Sequence, residues 1–109
     1  IGEALRKNAK LVLPPRLYAL SKQHGLPFHE VKVNSSSGRW GSCSTRRDIN
    51  LSYYLLLLPQ HLIDYVLLHE LTHTRIMNHG AEFWEMLDRL TEGRCEALRQ
   101  ELKAFSASL

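Results

Sequence analysis

The chain has 109 residues, of which 44% are hydrophobic, and carries a formal net charge of +3 at pH 7. That length suits one compact domain with a real core, and that composition excludes a disordered chain. The mild basicity permits contact with nucleic acid or acidic ligands but does not argue for it, because the Lys and Arg residues are scattered along the sequence.

From the N-terminus, Glu3 to Gln23 reads as a helix, with Leu5, Ala9, Val12, Leu13, Leu17 and Leu20 at helical spacing. Pro14 and Pro15 interrupt it, which predicts two helical pieces or one kinked helix, ended by Gly25. Phe28 to Asn34 alternates apolar and polar residues and reads as a strand. A turn over Ser35 to Gly38 leads to a second strand, Arg39 to Ser44, anchored by Trp40. A tight polar turn over Thr45 to Asp48 leads to a third strand, Ile49 to Leu55. Strands joined by such short turns predict an antiparallel meander. Pro59 opens a long helix to about Met77, which Asn78 to Gly80 breaks. Two more helices follow, one with Phe83, Trp84, Leu87 and Leu90, the last with Leu98, Leu102 and Phe105. The order predicts an α+β fold, with helices stacked beside a small antiparallel sheet.

The chain starts at Ile1 without Met, so we expect residues 1–109 to be a single domain forming the C-terminal part of a longer protein. No signal peptide and no membrane-length apolar run is visible, and Cys43 and Cys95 form no CxxC pair. Reduced thiols in the cytoplasm are the expectation.

The stretch HELTHTRIMNH, His69 to His79, holds three of the six histidines and one glutamate. On a helix, His69 and His73 project from one face, one turn apart, so both rings can converge on one ion. Glu70 flanks that ion and reaches a water bound to it more easily than the ion itself. His79, just past the helix end, is the candidate third ligand. Three protein ligands leave a fourth tetrahedral position for water, as catalytic zinc requires, and one Zn²⁺ per chain is the expected cofactor. The plainer alternative is that His69 and His73 are core histidines satisfied by hydrogen bonds, on a stripe with Leu62, Val66 and Ile76. Glu70 would then be a partly buried carboxylate in need of its own partner.

Four segments carry a family resemblance: RWGSCS (Arg39 to Ser44), INLSYYLLLLP (Ile49 to Pro59), IDYVLLHELTH (Ile63 to His73) and MNHGAEFW (Met77 to Trp84). In this order they closely resemble the YgjP-like metallopeptidase domain, related to the WLM and SprT-like groups. The resemblance implies a minimal zincin, with a small sheet beside an HExxH active-site helix. It implies metal ligation by His69, His73 and His79, with Glu70 as the catalytic residue. Thr72 and Gly80 depart from the residues common in relatives, at positions that are not ligands.

The expected activity is zinc-dependent hydrolysis of peptide bonds by a metal-bound water that Glu70 activates, with a peptide or protein as partner. Two alternatives compete: metal-dependent hydrolysis of nucleotide phosphoanhydrides, with Arg39, Arg46 and Arg47 holding phosphates, and a non-catalytic zinc-stabilised binding module. Arg39, Tyr53 and Tyr54 are candidate substrate-binding residues. For Arg39 the plainer reading is a surface side chain lying over Trp40, and for the tyrosines it is core or rim packing. Cys43 reads as a small buried residue rather than a redox handle, and His24, His29 and His61 as surface or structural. Phe83 and Trp84 read as a wedge between the last helices and the active-site helix that fixes His79.

Overall fold

The computed structural model describes residues 2–35 and 38–106. The elements are α1 (Gly2–His24), β1 (Glu30–Asn34), β2 (Gly41–Cys43), β3 (Asp48–Ser52), a 3₁₀ turn (Tyr53–Leu57), α2 (Gln60–Thr72), α3 (Ala81–Leu90) and α4 (Cys95–Ser106). The fold is α+β. Of the turn expected over Ser35 to Gly38, Ser36 and Ser37 lie outside the described residues.

α1 runs unbroken through Pro14 and Pro15. The two prolines remove the hydrogen bonds that the carbonyls of Lys10 and Leu11 would accept, but both of those residues are exposed, so water can serve them. The core face of α1, formed by Ala9, Leu13, Leu17 and Leu20, is fully covered on either side of the prolines, whereas Val12 points to solvent. Gly25, at φ 65°, ends the helix as the Leu26 N–H returns to the Ser21 carbonyl.

The sheet is mixed, not an antiparallel meander. Its order is β1-β3-β2, with β1 parallel to β3 and β2 antiparallel to it. A two-residue alternation sets which side chains share a face but leaves the choice of neighbour open. Burial explains the order. Ile49 and Leu51 of β3 are fully buried and that strand takes the centre, while Val31 and Val33 of β1 are only half-buried. The β2–β3 hairpin closes on Ser44, whose Oγ accepts from the N–H groups of Arg46 and Asp48. The third strand stops at Ser52, where the Ser52 side chain accepts from the Tyr54 N–H and opens the 3₁₀ turn.

α2 is buried on nearly all sides and packs against α1, β2, α3 and α4. A helix that is apolar all round belongs at the centre of a fold. Arg16 of α1 grips Asp64 of α2 through a two-pronged contact, Nε to Oδ1 at 2.9 Å and Nη2 to Oδ2 at 2.8 Å. The Asp64 carboxylate raises the Arg16 pKa in return. Replacing Arg16 by Ala is expected to cost about 1 kcal/mol, a magnitude fitting a partly exposed forked pair. A urea midpoint unchanged from the parent protein would show that this clamp contributes nothing.

Candidate active site

α2 ends at Thr72, a turn and more before the expected Met77. The last turn tightens, with the Thr74 N–H bonded to the Leu71 carbonyl and the Arg75 N–H to the Thr72 carbonyl, and the Thr74 hydroxyl also takes the Leu71 carbonyl that Arg75 would use in a longer helix. The Thr72 hydroxyl donates to the Leu68 carbonyl (2.7 Å), and the Thr74 hydroxyl to the Leu71 carbonyl (2.6 Å). His73 becomes the C-cap, its N–H shared between the His69 and Glu70 carbonyls. The chain then folds back, and Asn78 Oδ1 accepts from the Gly80 N–H at 2.9 Å. Asn78 thus shapes the turn that carries His79 over the end of α2.

The result brings His69, His73 and His79 together. One ring nitrogen of each lies within 4.8 Å of the others. His73 Nε2 and His79 Nε2 are 3.1 Å apart. Two imidazoles bound at ~2.0–2.1 Å to one tetrahedral ion would sit about 3.3 Å apart. His73 Nδ1 donates to the Ile76 carbonyl at 2.9 Å, which leaves Nε2 to offer a lone pair toward His79. Burial lowers the His73 pKa against the opposing pull of that carbonyl, and so favours the neutral, ligating form. His69 Nδ1 is buried without a hydrogen bond; Glu70 Oε2 lies 3.3 Å from it, an electrostatic contact without hydrogen-bond alignment. Three converging ring nitrogens, one of them on a ring whose buried Nδ1 has no hydrogen bond, fit a cation better than a satisfied histidine core. The three side chains therefore suit one divalent ion.

Phe83 supports the cluster. It is fully buried, and its ring centroid lies 5.0, 4.5 and 4.9 Å from those of His69, His73 and His79. Trp84 stacks on His79 at 5.8 Å and donates its indole N–H to the His79 carbonyl at 3.0 Å. Together they wedge α3 against α2 and hold the one exposed imidazole of the three.

Glu70 is buried and faces Gly41 of β2. A Cβ at position 41 would stand 3.2 Å from Glu70 Cγ, 3.4 Å from Glu70 Oε2 and 3.1 Å from the Asn50 carbonyl oxygen. Only glycine admits this approach without displacing the carboxylate. Gly41→Ala is expected to push Glu70 aside by a few tenths of an ångström and to lower kcat about threefold to tenfold, given that a 1 Å misplacement costs ~10²-fold. An unchanged kcat would show that the carboxylate position is not tied to this contact.

Two cavities flank Glu70 and His69. One, of ≈ 360 Å³, runs along Ser42 and Cys43 to the imidazole cluster and Met77. The other, of ≈ 280 Å³, is walled by aromatic and basic residues. Arg39 lines both. Tyr53 and Tyr54 line neither; they sit in the 3₁₀ turn rather than on a strand, their rings in contact at a tilt of 57°, with Tyr53 beside Glu3 and Arg6. His29 pairs with Asp48 and His61 with Glu101, apart from the cluster. Cys43 is half-buried and unpaired, its thiol pushed up to about 11, chiefly by burial and then by the Glu70 charge. Arg46 and Arg47 occupy the hairpin tip. Sequence reasoning missed the closeness of Gly41 to Glu70 and the arrival of α4 residues at the second cavity. The first had a weak signal, a glycine inside a strand.

The profile of the YgjP-like metallopeptidase domain matches residues 1–105, nearly the whole chain. The chain belongs to the YgjP-like metallopeptidase family. It is thus a peptidase-type hydrolase of a family that uses a divalent metal. The crystal structure of the metallopeptidase zymogen of Pyrococcus abyssi abylysin superposes with a TM-score of 0.69, covering 81% of this chain and 89% of that one at 19% identity. That similarity shows a shared fold. No curated protein matches the sequence. Among the described residues, no helix is long and apolar enough to cross a membrane.

Proposed function

We propose that this member of the family is a zinc-dependent peptidase in which His69, His73 and His79 hold the ion and Glu70 is the general base. The observation that carries this reading is three ring nitrogens within 4.8 Å of one another beside a buried carboxylate. The all-nitrogen donor set suits zinc, and three ligands leave an open position. Bound there, the ion supplies Lewis acidity, making water acidic enough to deprotonate near neutral pH and polarising a carbonyl. Glu70 takes that proton on its carboxylate and returns it to the departing amine.

Peptide binding is supported by β2. Ser52 N–H bonds to the Trp40 carbonyl and Ser44 N–H to the Asp48 carbonyl, so Trp40, Ser42 and Ser44 turn their backbone groups toward β3. Gly41 and Cys43 therefore turn theirs to the outer edge of the sheet, beside the imidazole cavity. An extended substrate can add to that edge as a further strand. Arg39 lines both cavities, which supports a role in holding a substrate carbonyl or carboxylate. The free thiols of Cys43 and Cys95 suit a reducing compartment, and we assign the chain to the cytoplasm.

The test is to load the metal-free protein with zinc, count ions per chain, and follow cleavage of an unfolded protein by mass spectrometry. One zinc per chain and new peptide termini that disappear with a chelator are expected. Full zinc loading without cleavage, across several unfolded substrates, would leave only a binding role.

A further inference from the structure

The ≈ 280 Å³ cavity is lined at one end by His69 and Glu70, and the rest of its wall takes no part in holding the ion or moving the proton. Its walls are Trp40, Tyr65, Val66, Trp84 and Leu102, all apolar or aromatic, and its basic groups are Arg39, Arg99 and Lys103. Arg99 and Lys103 stand one turn apart on the same face of α4. Arg99 is held in place over the Trp84 ring, 5.0 Å from its centroid. Its only ion pair among the described residues is an exposed one with Glu96 at 3.6 Å. Arg39 and Lys103 are exposed and form no salt bridge among the described residues, and Lys103 acts on Glu96 only through its charge. Three cations against the single Glu70 carboxylate in a small, largely apolar chamber disfavour a basic residue and suit an apolar body ending in an anion. Its volume falls just below that of ligand pockets, ~300–1,000 Å³, and suits one amino-acid residue rather than a larger ligand.

We propose that this cavity is the substrate subsite beside the scissile bond and that it selects a residue presenting a carboxylate, which Arg39, Arg99 and Lys103 bind. This rests on the peptidase reading of the same site. The carboxylate has two sources, the free C-terminus of a peptide or an internal Asp or Glu side chain, and both present the same group to the same cations. Trp84 couples the subsite to the metal site, since the ring that carries Arg99 also anchors His79.

The only two tryptophans of the chain, Trp40 and Trp84, both line this cavity, so intrinsic fluorescence reports directly on its occupancy. The titration uses zinc-loaded Glu70→Gln protein, to prevent turnover, with three short peptides: one ending in Phe as the free acid, the same peptide amidated, and an amidated peptide carrying an internal Glu. At least one carboxylate-bearing peptide is expected to bind tenfold or more tightly than the amidated Phe peptide, and which one does so identifies the source. Arg99→Met with Lys103→Met, which keeps the apolar stems, is expected to bring that ratio toward one. Equal affinity for all three peptides overturns the proposal, as does a preference that the double substitution leaves intact. A nucleoside triphosphate that titrates the same signal more tightly than any peptide also overturns it. Cleavage by the parent enzyme is measured in parallel. Turnover of all three peptides without preference leaves the peptidase standing and removes the subsite. A carboxylate preference in binding with no turnover of any peptide keeps the subsite and removes the peptidase.

Discussion

Replacing Glu70 by Gln is expected to lower kcat for peptide hydrolysis by about 10²–10⁴-fold, the range that a positioned general base contributes. The amide keeps the shape of the side chain against Gly41 but cannot accept the proton. Because the carboxylate lies beside the imidazole cluster rather than within it, zinc content should stay at that of the parent protein. The thermal midpoint should not fall, since an uncharged side chain costs less to bury beside Gly41 than a carboxylate does. Kinetics paired with metal analysis checks this. A variant that keeps zinc and retains more than about a tenth of the parent kcat would remove Glu70 from the role of base.

Zinc added to the metal-free protein is expected to raise its thermal midpoint steeply. At a thousandfold excess over Kd, binding to the folded state alone contributes about 4 kcal/mol. For a domain of this size that is a rise on the order of 20 °C. His79→Ala should remove most of it. His79 comes from an exposed turn, so its loss costs the metal-free fold little, while one of three donors disappears. Even supporting residues around metal ligands are worth about 10–100-fold in affinity, so loss of a ligand itself should cost at least about a hundredfold, or some 2.7 kcal/mol of the gain. Scanning calorimetry with and without zinc measures both. An equal rise in the variant would mean that His79 does not bind the ion.

How much of this was readable beforehand depends on how local the cause is. The approach of His69 and His73 follows from four-residue spacing on one helix, and the return of His79 from a turn signal at Asn78 and Gly80. Apolar periodicity continues to Ile76 and so predicts a longer α2, while the Thr74 hydroxyl on the Leu71 carbonyl and the His73 ring on the Ile76 carbonyl leave no mark on that pattern. The parallel pairing of β1 with β3 depends on which strand the helices bury most deeply, a property of the whole fold. Tyr53 and Tyr54 continue the apolar run of β3, but the Ser52 hydroxyl turns the chain first. Arg99 and Lys103 share a cavity with His69 only through the packing of α4 on α2, some thirty residues away along the chain, and no spacing rule reaches that far.

The outer border of β2 carries a liability as well as a use. Unsatisfied main-chain groups that welcome an extended guest also welcome another copy of the same molecule, the first step toward aggregation. Three residues of strand offer only a few ladder bonds, and the Arg39 charge just upstream repels a like neighbour. Brevity and charge let this border stay exposed in solution while remaining available to a transient visitor.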